Sequence, residues 1–351
     1  MSKDIFVELL FEAEVKGRFK DDPEFEETAR RNCNEDPDTR EKIIQELRSM
    51  IIERGQCHPQ RMDDAYLLIF LRCRRFIVPL AHKLIVRYEN LIRREAHYFD
   101  CNVMSWHKLV NNQNVYSGTL PENPYSGRTL IMRFGRWDPS TVTVDNILRA
   151  AFALAQIMLY QPRFQAIGLS VILDLEGMDW SHLKQFTPNV AYQFVCLMGV
   201  DLPILLHGLH IINYNWAIST FCFISKPFIP SAGYKYVHFH GRNMSSLHKH
   251  IDPASLPQEY GGFCTHVITS EDFFLGVQKY IYRDKDLVQE YQTMGYRVEI
   301  ESDDVDNKIW CDDVGWLDRK ISNSSFKNLS DQWRRKTFRR GNSYLTNTRC
   351  K

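Results

Sequence analysis

The chain predicts an α/β fold, a mixed sheet with covering helices preceded by an all-helical region. Three observations carry that expectation. Between residues 129 and 241, apolar runs of strand length alternate with stretches of helical period, an order that builds a largely parallel or mixed sheet flanked by helices. Ahead of it, residues 23–92 carry helical signals throughout. Within the α/β part, NWAISTFCFISKPF (residues 215–228) is apolar on every helical face, with no formal charge between Trp216 and Ile224. An ordinary surface helix keeps one polar face. This segment is therefore either fully buried or lies with one face over a cavity.

The helical region starts at Pro23, a residue suited to a first helical turn, with Glu24, Glu26 and Glu27 near the positive end of the dipole. Residues 23–54 read as helical, and Ile43, Ile44, Leu47, Met50 and Ile51 form one stripe. Gly55 and Pro59 break it. Asp63 or Asp64 is placed to cap the next helix, AYLLIFLRCRRF (residues 65–76). Leu67, Leu68, Phe70 and Leu71 form its apolar side. Arg72, Arg74 and Arg75 add positive charge there, either as contacts for an acidic headgroup or membrane face, or as a helix rim with snorkelling side chains. Leu84, Ile85, Tyr88, Leu91 and Ile92 mark a further amphipathic helix after Pro79.

Residues 93–128 are mixed, with short apolar pieces at Leu109–Val110 and Val115–Tyr116 between turn signals. TLIMRF (129–134) is a strand candidate between Gly127 and Gly135. A WDP turn follows, then a long helix marked by Ile147, Leu148, Ala151, Phe152, Ala155, Met158 and Leu159. Leu169–Leu173 is a strand, and Asp174, Glu176 and Gly177 sit in the turn at its end. Residues 189–200 read as helix, GLHIINY (208–214) as strand, and YKYVHFHG (234–241) as another strand.

Charge excludes little by itself. The 44 basic and 43 acidic residues leave a formal charge of +1, unlike a strongly basic nucleic-acid binder. The 9 cysteines are odd in number, widely spaced and free of CxxC, so buried reduced thiols are expected rather than a disulfide scaffold or a thiolate metal site. The N-terminus lacks a continuous signal-peptide core, and no uncharged apolar run reaches bilayer length. Any membrane contact is expected to be peripheral, for a cytoplasmic and monomeric protein.

Recognisable catalytic motifs are missing: there is no GxGxxG after a strand, GxxxxGK[ST], HExxH or GxSxG. Asp174 and Glu176 are a paired-acid candidate for general acid–base chemistry, with a cap and a turn hydrogen bond as the favoured alternatives. His207, His210, His238, His240, His248 and His250 cluster in sequence. His238 and His240 share a strand face and would bind a transition metal if a third ligand approached. Hydrogen bonding around turns is the preferred reading, so no metal is expected. Near the C-terminus, residues 301–318 hold seven acids and Lys308, whereas 319–351 hold ten basic residues and Asp331. WRRKTFRR (333–340), with Arg334, Arg335 and Lys336, suits an anionic membrane surface, intramolecular pairing with the acidic stretch, or a solvated tail. It is a weak warrant for nucleic-acid binding, which is not expected.

Several motifs, in this order, resemble the CRAL-TRIO lipid-binding family, especially animal proteins similar to tocopherol- and retinaldehyde-binding transfer proteins. They are DDAYLLIFLRCRRF, the GRWDP turn, DLEG followed by SH and FTP, GLHIIN, the KPF helix, and YVHFHG through LPQEYGG. The resemblance covers about residues 40–265. It implies an N-terminal helical domain and an α/β domain enclosing an apolar cavity, with 215–228 as a helical gate over a non-covalently bound lipid and no further cofactor. It divides the chain into an extension (1–39), a helical domain (40–114), the lipid-binding domain (115–265) and a C-terminal extension (266–351).

The pocket would be lined by Trp180, Phe186, Phe194, Leu209, Ile211, Trp216, Phe221 and Ile224. Headgroup or membrane contacts would come from Arg72, Arg74, Arg75, Lys226, Lys235 and the basic tail. One departure is visible. Relatives similar to tocopherol transfer protein carry basic, phosphoinositide-contacting residues where this chain has Leu205, His207, Ala232 and Tyr236. The resemblance thus implies binding and transfer of a retinoid-, tocopherol-, sterol-like or phospholipid ligand, with an anionic membrane as partner. A lipid-reading scaffold without transfer and an enzyme using Asp174, Glu176 or the histidines remain the competing readings.

Overall fold

The structure is a computed structural model. It describes residues 22–59, 61–98, 115–119, 127–159, 161–214 and 231–273, with Tyr125, Ile229 and Gly276. The chain divides into two compact units, Met1–Glu301 and Ser302–Lys351. Every described residue belongs to the first.

Four helices form the N-terminal layer: α1 (Pro23–Cys33), α2 (Pro37–Arg54), α3 (Asp64–Cys73) and α4 (Val78–Arg94). The helical region expected over 23–54 is made of two helices. Asn34 turns left-handed at φ 58°, and Asp36–Pro37 opens a new N-terminus with the Asp36 side chain accepting from Asp38 N–H. A side-chain oxygen that accepts from the first free N–H groups makes a good N-cap. Asp63, not Asp64, caps α3 through Tyr66 N–H at 3.0 Å. Arg75 and Phe76 separate α3 from α4 with φ of 53° and 56°. Buried Val78, Ala81, Leu84, Ile85, Tyr88 and Leu91 recur along one face of α4 at helical spacing.

The sheet has six strands: β1 (Tyr116–Thr119), β2 (Arg128–Arg133), β3 (Leu169–Asp174), β4 (Leu206–Ile212), β5 (Val237–Gly241) and β6 (Val267–Thr269). Their spatial order is β5-β4-β3-β2-β1-β6. From β2 to β5 the neighbours are parallel, while β1 is antiparallel to both β2 and β6. The sheet is therefore mixed, as the alternation of elements predicts. Helices α5 (Val144–Leu159) and α6 (Pro162–Ile167) connect β2 to β3; α7 (Trp180–Leu183) and α8 (Pro188–Val195) connect β3 to β4.

Side chains alternate between the two faces of a strand. Met132, Val171, Leu173, Leu209 and Ile211 join a large core shared with α5 and α8. That core also contains Leu47, Phe70 and Ile85, so it is continuous with the interior of the helical layer. Ile131, Ile172 and Ile212 point the other way and pack with Leu247, Ile251, Leu256 and Tyr260. Burial on both faces explains why the central strands are almost continuously apolar. The edge strand β6 lies just past the boundary expected at residue 265. Its Val-Ile-Thr is too short to announce itself and gains its definition from pairing with Ser117–Thr119.

The two layers are tied through Arg72, which a buried ion pair with Glu35 holds in place. Arg72 on α3 donates through Nε and Nη2 to Glu35 at 2.7 and 3.0 Å, and through Nη1 to Gln165 on α6 at 2.6 Å. Arg72 is 5% exposed and Glu35 1%. A second tie is Arg94, whose Nη2 donates to the Tyr192 hydroxyl of α8 at 2.6 Å.

Candidate functional site

The site grows from the sheet face beneath α5. Tyr116 of β1 is buried and donates its hydroxyl to the Ile147 carbonyl at 2.9 Å. Burial pushes its pKa well above the ordinary tyrosine value, so it stays a neutral donor. Around it open two small cavities. One, of about 60 Å³, lies between Gly118, Leu130, Leu154, Met158, Leu169 and Ile268 among others. The other, of about 20 Å³, continues along Ala155, Phe164, Val171, Leu197 and Ile204. Tyr116, Leu130, Leu154, Met158 and Leu169 border both. These volumes fall far below the roughly 300–1,000 Å³ typical of ligand pockets. They mark small gaps in the packing beneath α5.

Leu209 and Ile211 lie on this same sheet face and are 7% and 2% exposed. Phe186 and Phe194 are buried and meet Phe134 edge-on, with centroids 5.9 and 5.8 Å apart. None of these four borders the two cavities. Trp180 stands apart: it begins α7 directly after the Asp179 cap and is 61% exposed. Trp216, Phe221, Ile224 and Lys226 lie outside the described residues, as do Arg334, Arg335 and Lys336. Sequence reasoning did not single out Tyr116, Leu130, Leu154 or Leu169 for the site. The α5 stripe carried a signal, since Met158 belongs to it, but β1 is only four residues long.

The basic candidates separate by burial. Arg72 is held by Glu35 and Gln165 inside the protein and is 5% exposed. Arg74 is half-buried and donates to the Gly199 carbonyl at 3.4 Å. Arg75 and Lys235 are exposed, the latter with Nζ 4.9 Å from the Tyr236 ring centroid. At the altered positions, Leu205 packs against the small core around Phe25 and Ala29. His207 bonds to the Ile167 carbonyl and Tyr236 is 37% exposed.

Asp174 is a structural knot. Its Oδ1 accepts from Glu176 N–H at 3.1 Å and Asn213 Nδ2 at 3.0 Å, and its Oδ2 from the Tyr260 hydroxyl at 2.8 Å. One carboxylate thus gathers the end of β3, the end of β4 and the Pro257–Gly262 loop. Glu176 is exposed. Asp174→Ala leaves buried donors without their acceptor and is expected to cost about 2–3 kcal/mol, measurable by urea unfolding. Asp174→Asn should recover part of that loss, because one amide oxygen still accepts. Equal stability of Ala and Asn variants would mean that the knot contributes little.

Among the described residues, no histidine, cysteine and carboxylate group is arranged to hold a metal ion. Cys33, Cys57, Cys73 and Cys196 are buried free thiols, and Cys264 is a half-buried one. Burial pushes Cys33 up to about 12, far from the thiolate a nucleophile needs. No described helix is long and apolar enough to cross a membrane.

A mixed sheet with an apolar wall under a covering helix, preceded by a helical layer, defines an α/β protein built around apolar contact. The chain belongs to the CRAL/TRIO family of lipid-binding proteins. The family's model, described as CRAL/TRIO domain, matches residues 118–262. Clavesin-2 of Homo sapiens is 31% identical over 242 residues, covering 68% of this chain and 74% of that protein. Clavesin-2 of Mus musculus is 29% identical over 289 residues, covering 82% and 86%. The solved structure titled "Crystal structure of Sfh5" aligns with a TM-score of 0.44 and 17% identity, covering 71% of this chain and 99% of that one.

Proposed function

We propose that the chain binds a small hydrophobic lipid and transfers it between membranes. The observation that carries this reading is the apolar sheet face under α5, loosely packed where Tyr116, Leu130, Leu154 and Met158 meet. Each ligand methylene buried against this face would contribute roughly 0.8 kcal/mol, so retention calls for no covalent chemistry. The ligand is retinoid-, tocopherol- or sterol-like, or a phospholipid. The apolar segment 215–228 acts as the gate, and the protein works in the cytoplasm, meeting anionic membranes peripherally. Family membership supports this assignment, and Arg75 and Lys235 are exposed for such a contact. Binding to phosphoinositides has less support, since Leu205, His207 and Tyr236 replace the basic cluster.

The test is native mass spectrometry of gently purified protein with lipid extraction, followed by vesicle-to-vesicle transfer. A retained, exchangeable lipid is expected. No lipid across a broad panel would end the proposal, and vesicle binding without transfer would leave a lipid-reading scaffold. Met158→Trp, which adds bulk at the wall shared by both cavities, should lower retention about tenfold, equivalent to ~1.4 kcal/mol. Met158→Leu should change it little, since volume-conserving swaps are tolerated. Unchanged retention in a folded Trp variant would place the ligand elsewhere.

A further inference from the structure

On the face of the sheet away from α5, four imidazoles meet at the β4–β5 edge. His210 of β4 pairs in register with His238 of β5, and the two rings stack with centroids 5.1 Å apart. His210 Nδ1 lies 3.0 Å from His240 Nε2, and His240 Nδ1 lies 2.9 Å from Ser246 Oγ. His250, in the turn after helix α9 (Met244–Leu247), closes the group at 4.2 Å from His238 and 5.5 Å from both His210 and His240, centroid to centroid. Gly208 makes room for it. A Cβ there would sit 2.6 Å from His210 Nε2, so the missing side chain lets that ring lie over the strand.

We propose that His210, His238, His240 and His250 form a proton-responsive clasp, which holds β5 and the α9 turn to β4 while the rings are neutral and releases them on acidification. The hydrogen bonding supplies the reason. In the His210–His240 contact one nitrogen must donate and the other accept. If both rings are protonated, two N–H groups face each other and the bond becomes a repulsion. His210 is 2% exposed and His240 7%, so water cannot replace the lost contact.

Among the described residues, no carboxylate is an electrostatic neighbour of His210, His238 or His240 to relieve this. The electrostatic neighbours of His210, His238 and His240 are one another and His250. On the β3 side His210 meets Ile172. The next rung carries Asp174, held by Tyr260 and Asn213, and Arg133, which donates to Ser117 and Glu259. From the α9 side come Ser246, then His248, whose Nε2 bonds to the Tyr260 carbonyl, and exposed Lys249. Arg242 follows β5 and is exposed, and Asp252 caps Ala254. Burial first, then His240, His238 and His250, lowers the His210 pKa to about 3, and burial also lowers His238 and His240. An unfolded histidine titrates near 6.5, so below about that pH the unfolded chain binds more protons and stability falls. The loss grows until the pH reaches the lowered native values.

The chain that leaves β4 at Ile212 returns to the sheet at Val237, so the clasp joins the two ends of that connection. An effect on lipid retention rests on the proposed lipid function, whereas release of β5 does not. The experiment uses the full chain. Hydrogen exchange of β5 amides, corrected for intrinsic rates, is compared between about pH 7.5 and 5, with NMR titration of the imidazoles and native mass spectrometry of retained lipid in parallel. Protection of β5 is expected to fall at least tenfold on acidification, with His210 neutral until it does. His238→Gln and His250→Gln, both at the more exposed side, should reduce that fall to less than about threefold, since each removes one chargeable ring. Protection independent of pH, an unchanged response in both variants, or His210 titrating near 6.5 with β5 intact would overturn the clasp. Loss of β5 protection in a chain that carries lipid at no pH would uphold the clasp and remove the lipid function.

Discussion

An Arg72→Met chain is expected to lose up to about 3 kcal/mol of unfolding free energy, because a buried carboxylate is left with Arg40 alone as its cationic partner. Glu35 is 1% exposed and takes two donations from Arg72. Arg40 Nε lies 2.8 Å from Oε1, the oxygen that Arg72 Nη2 also bonds, but Arg40 is 34% exposed and does not replace the bidentate guanidinium. Gln165 would lose a partner too, although its own amide still donates to the Leu159 carbonyl at 2.7 Å. Arg72→Lys should cost less than Met but clearly more than nothing, since an ammonium keeps the charge and loses the fork. The informative comparison is the double change Arg72→Met with Glu35→Leu. Replacing a buried pair by apolar residues is often near neutral, so the double variant should be more stable than Arg72→Met alone. Urea midpoints read the difference. Equal losses in single and double variants would show that the cost comes from packing around Phe25, whose ring centroid lies 5.5 Å from the guanidinium, and not from the stranded carboxylate.

This residue also shows where sequence reading stops. The arginines at 72, 74 and 75 look alike as a charge cluster beside an apolar helix. Helical geometry separates them only once the neighbours are known: Arg72 faces inward because Glu35, from a loop 37 residues earlier, meets it there. Periodicity carries no information about such a partner. By contrast, β2, β3 and β4 were legible as strands, since buried parallel strands need continuous apolar runs and each was bounded by glycine or turn residues, whereas their spatial order was not. The histidines were legible as a cluster, and His238 and His240 as one strand face. Convergence with His210 and His250 was not, because register across β4–β5 and the α9 turn set it. For the site itself, the apolar character of 169–173 and 208–214 was readable. The cavity wall at Tyr116 and Leu154 was not, because it depends on how α5 settles over a four-residue strand.

The turns that end β2 and β3 give the sharpest expectation. A Cβ added to Gly135 would stand 1.7 Å from the Glu176 carbonyl oxygen, 2.6 Å from its carbonyl carbon and 2.8 Å from the Gly177 carbonyl carbon. All three are backbone atoms, so no side-chain rotation relieves the clash. Gly135→Ala is therefore expected to cost about 4 kcal/mol or more, in the class of backbone changes that reach the extreme of single substitutions. Gly177 sits across the same contact at φ +83°, with its nearest approach a looser 3.3 Å to the Gly135 oxygen. Its alanine variant should lose only about 1–2 kcal/mol, the cost of a left-handed L-residue. Each turn sets the direction of the segment beyond it. The first leads to Trp137, whose Nε1 donates to the Val142 carbonyl at 2.7 Å, and the second to His182, whose Nε2 meets the Trp137 carbonyl at 2.8 Å. Forcing the turns apart would displace Met132 and Leu173 on the apolar face, so lipid retention should fall together with stability. Chemical unfolding of both variants decides the matter. A Gly135→Ala chain within about 1 kcal/mol of the parent would mean that the two turns do not press together, and that the GRWDP and DLEG motifs hold their shapes independently.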